Sequence, residues 1–97
     1  MKERLYLIDL YDYYGDLLTD KQKVYFEDYY FNNLSLAEIS ENYDISRNAI
    51  HKQLKEVESK LLHYEKILRL YDKKNKIEKI LEQKIDENIK NQIKELI

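Results

Sequence analysis

Arg47, Asn48, His51, Lys52 and Lys55 lie close together in the segment SRNAIHKQLK, directly after Ser46. Ammonium and guanidinium groups neutralise phosphates. Arg and Asn also offer paired donors and acceptors to base edges in the major groove. On a helical wheel Ile50, Leu54 and Val57 point one way. Asn48, Lys52, Lys55 and Ser59 point the other, flanked by Arg47, His51 and Glu56. An outward set of this kind at the start of a helix fits a recognition helix, whose N-terminal part enters the major groove. The plainer reading is the solvated face that every surface helix carries.

The elements that must position these side chains occupy residues 34–61. Ser35 and Glu38 have the spacing of a capping box, in which the Ser hydroxyl accepts from the third helical N–H and the Glu reaches back to the Ser amide. Leu36 and Ile39 share a face of the short helix that follows, and Ala37 and Ser40 are small enough for a close crossing. Asn42, Tyr43 and Asp44 end it, and Asp tolerates the left-handed conformation of a sharp turn. Ile45 is the apolar plug between the helices. Ser46 is a second N-cap, and a new period starts at Ile50, Leu54, Val57 and Leu61. Two capped helices joined by a short turn form a helix-turn-helix.

Other chemistries find little support. His51 and His63 lack companion ligands, so no metal site is expected. There is no Cys, and the single Gly does not build a phosphate-cradling loop. No nucleophile–base pair stands out. The chain is therefore expected to have no catalytic residues and no cofactor. Asp9, Asp12 and Asp16 form an acidic stripe that reads as a solvated face rather than a cation site.

Composition agrees. Ninety-seven residues suit one domain with a small core, and 43% hydrophobic and 37% charged content with no Pro favours an all-α fold. The net charge of -2 means that affinity for nucleic acid must rest on local charge. No apolar run approaches the ~20 residues of a membrane-spanning helix, so no membrane insertion is expected. The acidic, interrupted N-terminus does not resemble a signal peptide, and a cytoplasmic location is expected.

In chain order, residues 4–18 predict a first amphipathic helix with Leu7, Leu10, Tyr11, Tyr14 and Leu18 inward. Gly15 is expected to loosen its end. Thr19 and Gln22 form another capping box before an aromatic-rich helix. In that helix Tyr25, Phe26 and Tyr29 are the expected core residues, with Tyr30 and Phe31 half-exposed or at an interface. The period of the fourth helix continues through Leu61, Tyr64, Leu68 and Tyr71, alternating steps of four and three for about three heptads, the signature of a coiled-coil seam. That seam predicts a homodimer or partner interface at Leu61, Tyr64, Leu68 and Tyr71. Ile77, Leu81, Ile85, Ile89, Ile93 and Ile97 predict an amphipathic tail helix, with a break near residues 72–76. The expected division is a helix-turn-helix domain over 1–71 and a C-terminal helix over 72–97.

The stretches YDYYGDLLTDKQ, YYFNNLSLAEIS and ISRNAIHKQLK, with the long helix through LLHYEKIL, resemble the YlxM family of small bacterial helix-turn-helix proteins over residues 10–73. More loosely, the same region is similar to region 4 of sigma factors, with Asp44 where a turn glycine is common. The resemblance implies an all-α, sigma region 4-like helix-turn-helix with a long fourth helix and a C-terminal helical arm. It implies a regulatory protein of the signal recognition particle pathway, a link that rests on gene neighbourhood. Two functions follow as expectations. One is a regulator that binds nucleic acid, DNA in preference to RNA, through Ser46, Arg47, Asn48, His51, Lys52 and Lys55. The other is a dimeric helical module that binds signal recognition particle components without binding DNA.

Overall fold

A computed structural model describes residues 4–97. Among the described residues the order is α1 (Arg4–Tyr14), a 3₁₀ turn (Gly15–Leu17), α2 (Asp20–Tyr30), α3 (Leu36–Tyr43), α4 (Arg47–Leu68), α5 (Leu70–Leu81) and α6 (Glu87–Lys94). The chain is all-α and carries a helix-turn-helix in α3 and α4.

The capping signals in the sequence translate directly into helix starts. Thr19 Oγ1 accepts from the Gln22 amide while Gln22 Oε1 accepts from Thr19, each at 3.2 Å. Ser35 and Glu38 make the same reciprocal pair at 3.0 and 3.1 Å. These bonds satisfy amides that have no partner within the helix. The two bonds from Ser35 hold the Glu38 carboxyl below its ordinary pKa. Its contribution to stability is therefore present at neutral pH and is lost as the pH falls through the carboxylate range.

The core has two linked parts. Leu7, Leu10, Tyr14, Leu18, Phe26, Tyr30, Val57 and Leu61 form the larger, and Tyr25, Ile39, Ile50 and Leu54 the smaller. α4 runs through both, so α1, α2 and α3 are all organised by one stripe of its surface. Gly15 has a packing role here. A Cβ at that position would meet the Tyr11 ring at 3.0–3.2 Å. Its absence lets Tyr11 lie flat on Phe26 with centroids 4.3 Å apart.

Several expectations need correction. The first helix ends at Tyr14, and the chain passes residues 15–17 as a 3₁₀ turn. Tyr30, expected half-exposed, is buried, because Arg4 covers its ring and Phe26 stacks on it at 4.4 Å. Tyr29, expected in the core, is only partly buried, while Phe31 is 44% exposed, in keeping with its expected half-exposure. The tail is two helices, since Asp86 caps a fresh start by accepting from the Asn88 amide.

The fourth helix breaks at Arg69 rather than at 72–76. Arg69 adopts the left-handed conformation (φ 57°, ψ 32°) and serves both as the end of α4 and the start of α5. Neither Gly nor Pro causes this; the cause is tertiary. Glu65, only 8% exposed, accepts from the Tyr71 amide at 3.1 Å and the Asp72 amide at 3.0 Å. Tyr14 Oη donates to Glu65 at 2.6 Å and accepts from the Leu70 amide at 3.0 Å. A buried carboxylate thus sits at the N-terminus of α5, where the helix dipole and free amides favour an anion. Burial and the bond to Glu65 push the Tyr14 hydroxyl up to about 12.

α5 and α6 extend the molecule to 55 × 24 × 24 Å. Its radius of gyration is 17.0 Å, against about 12–13 Å for a compact chain of this length. Among the described residues no helix is long and apolar enough to cross a membrane.

Tyr14→Phe removes the hydroxyl that joins Glu65 to α5. It is expected to lower folding stability by about 1–3 kcal/mol, the cost of leaving buried polar partners unmatched. Urea denaturation checks this through the midpoint, and an unchanged midpoint contradicts it.

Candidate nucleic-acid interface

The start of α4 is fixed before any ligand arrives. Asp44 takes the left-handed conformation that turns the chain (φ 53°, ψ 47°), and Ile45 N–H donates to Ser40 O at 3.2 Å. Ser40 Oγ donates to the Ile45 carbonyl. Ile45 packs against the cluster of Tyr25, Ile39, Ile50 and Leu54. Ser46 Oγ accepts from the Ala49 amide at 3.1 Å, so its side chain is engaged in capping the helix. On α3, the Tyr43 ring meets Tyr25 edge-on at 5.4 Å, and its hydroxyl donates to Asp28 at 2.8 Å.

With Ile50, Leu54 and Val57 buried, the opposite side of α4 must face outward. Ser46, Arg47, Asn48, His51, Lys52 and Lys55 are all exposed. Lys55 has a loose ion pair with Glu58 at 3.9 Å. Arg47, Asn48 and Lys52 project beside it on a scaffold whose turn is bonded at several points. Such a face can neutralise phosphates and present donors and acceptors to base edges. The acidic residues of α1 lie elsewhere, and Asp16 is paired with Lys23 at 3.0 Å.

The expected partner seam is divided. Leu61 has no exposed surface and belongs to the chain's own core. Tyr64 is half-buried against the same core, with its ring 6.0 Å from Tyr14. Leu68 is 43% exposed at the end of α4. Tyr71 lies on α5 and packs edge-on against Tyr6 at 5.4 Å. The heptad period of the first half thus reflects cover from α1, α2 and α3.

One group near the exposed face escaped the sequence. Arg4 Nη2 donates to the carbonyls of Tyr29 at 3.0 Å and Tyr30 at 2.6 Å, and to Asn33 Oδ1 at 2.8 Å. Its guanidinium lies 4.9 Å from the Tyr30 ring centre. This brings an N-terminal cation to the wall of a cavity that His51 and Lys55 also line. No local pattern signals a contact between segments so distant in sequence.

The capped turn, the left-handed Asp44 and the outward polar face define a helix-turn-helix protein. The match of the whole chain, residues 1–97, to the family model described as "Putative helix-turn-helix protein, YlxM / p13 like" makes it a member of the UPF0122 family. UPF0122 protein TTE1463 of Caldanaerobacter subterraneus subsp. tengcongensis is 51% identical over 82 residues, which cover 80% of this chain and 70% of the relative. UPF0122 protein MYPE4850 of Malacoplasma penetrans is 43% identical over 86 residues, 89% of this chain and 80% of the relative. UPF0122 protein OB1530 of Oceanobacillus iheyensis is 45% identical over 73 residues, 75% of this chain and 70% of the relative. The family match extends through the tail, beyond the residues that carried the resemblance in sequence.

Two substitutions test how the turn sets the face. Asp44→Gly relieves left-handed strain and is expected to raise stability by about 0.5–1 kcal/mol. Ser46→Ala removes the cap and is expected to cost about 1 kcal/mol. Thermal unfolding followed by circular dichroism measures both, and effects of the reverse sign contradict the assignment.

Proposed function

We propose that this protein is a nucleic-acid-binding regulator that docks the N-terminal part of α4 in the major groove of DNA. Arg47, Asn48, His51 and Lys52 address base edges and nearby phosphates, and Lys55 addresses a phosphate farther along the helix. The observation that carries this reading is the exposure of all these side chains on one outward face, at the start of a helix whose turn is fixed by Asp44, Ile45 and Ser46. A cationic face on a chain of net charge -2 also concentrates attraction at one place and lessens it elsewhere. The resemblance to the YlxM family adds the signal recognition particle pathway as the proposed setting.

A second reading has its own support. Ile67, Leu68 and Leu70 are 62%, 43% and 43% exposed around the α4–α5 break. Every residue of α6 is at least partly exposed, with Ile89 at 50%. This apolar surface suits a helical partner or a second copy, and it is compatible with binding at α4. Leu68→Asp is then expected to turn a dimer into monomer in analytical ultracentrifugation without unfolding it. A wild-type chain that sediments as monomer at high concentration removes the dimer.

The α4 face is tested by titrating random-sequence duplex DNA over a range of salt concentrations. Affinity is expected to fall with salt, and Lys52→Ala is expected to reduce the logarithmic salt slope by roughly one, the share of a single phosphate contact. Binding that ignores salt and this substitution removes α4 as the docking element.

A further inference from the structure

The cavity among α1, α2, α3 and α4 has a volume of about 320 Å³ and gathers Arg4, His51, Lys55 and Glu58 beside tyrosines of α2 and leucines of α3 and α4. We propose that it is a docking subsite for one phosphodiester group of the bound nucleic acid, held by Arg4, Lys55 and His51. This rests on the nucleic-acid reading above and adds to it a cation from the start of α1.

Charge, preorganisation and position support the assignment. The formal charges of Arg4 and Lys55 against Glu58 leave one net positive charge in the cavity. A phosphodiester is a monoanion, so it complements that balance. The guanidinium of Arg4 is already oriented by carbonyls of Tyr29 and Tyr30 and by Asn33, all acting on Nη2. Little side-chain freedom remains to be lost on binding. His51 and Lys55 are one helical turn apart and line the same side of α4. Glu58 engages two of these groups in the free protein: Lys55 Nζ lies 3.9 Å from it, and Tyr30 Oη donates to it at 3.3 Å.

The position along α4 also fits. Lys55 lies eight residues beyond Arg47, about 12 Å along the axis at 1.5 Å per residue. The major groove is about 12 Å wide. With the first turn of α4 at the base edges, Lys55 and Arg4 meet the sugar–phosphate strand that borders the groove. That contact fixes register, which is the usual task of phosphate contacts.

The experiment has two arms on the full chain. In the first, random-sequence duplex is titrated across salt with the wild type, Arg4→Met, Lys55→Ala and Glu58→Gln. The first two variants are each expected to lower the salt slope by roughly one. Glu58→Gln is expected to tighten binding roughly two- to fivefold, the worth of one exposed charge pair; damage to the fold would act the other way. Unchanged slopes, with Glu58→Gln neutral or weaker, overturn the subsite while duplex binding itself stands.

In the second arm, dimethyl phosphate, a phosphodiester without bases, is added while the imidazole resonances are followed by NMR. The His51 signal is expected to move and the His63 signal to stay, and Lys55→Ala is expected to abolish the movement. If the wild type fails to bind duplex even at low salt, the proposed function falls, and this arm still decides the subsite. Movement of His51 alone supports it; no movement, or equal movement of both histidines, overturns it.

Discussion

One stripe of α4 has to leave water, and most of the molecule follows from how it does so. Ile50, Val57 and Leu61 are 0% exposed and Leu54 is 5% exposed. Burying each aliphatic side chain of this size contributes roughly 1.5–3 kcal/mol. Three helices close on the stripe: α1 and α2 over Val57 and Leu61, and α2 and α3 over Ile50 and Leu54. A helix covered on one side by its own chain has its other side fixed in direction. The exposure of Arg47, Asn48, His51, Lys52 and Lys55 is therefore a consequence of core packing, and it needs no ligand to establish it.

The same helix is ended by a polar device. Burying Glu65 costs solvation, and a buried carboxylate persists only with its lone pairs engaged. Tyr14 and the amides at the start of α5 engage them. The arrangement ties the end of α1, the end of α4 and the beginning of α5 into one joint. It sets the direction in which the arm leaves the body. Below the joint the chain buries an ordinary core. Beyond it, Leu81 is the buried residue of α5, and the apolar side chains of α6 remain accessible. The cationic face at the start of α4 and the accessible apolar surface of the arm are thus separated along the molecule.

What was legible in the sequence was local. The caps at Thr19, Ser35 and Ser46 and the turn at Asp44 depend on bonds within a few residues, and spacing alone reveals such bonds. The outward face of α4 followed from helical period. The features that escaped depend on distant partners. Arg69 carries no sign of a helix break, because the break is caused by Glu65 capturing the next helix's amides and by Tyr14, more than fifty residues away. Tyr30 looked half-exposed because its cover, Arg4, comes from another helix 26 residues earlier in the chain. The seam through Leu61 matched a coiled coil because period reports that a stripe is covered and says nothing about which helices cover it. The split of the tail did have a signal: Asp86 before Glu87 is a good N-cap, and the regular isoleucine spacing masked it.

The claim that the first turns of α4 form the contact surface is tested most directly by residue-resolved NMR. Amide shifts would be mapped while random-sequence duplex DNA is added to the full chain at low salt. The account predicts that the largest perturbations fall on residues 46–55, with α5 and α6 little changed. Perturbations confined to α5 and α6, or none at all, would contradict it.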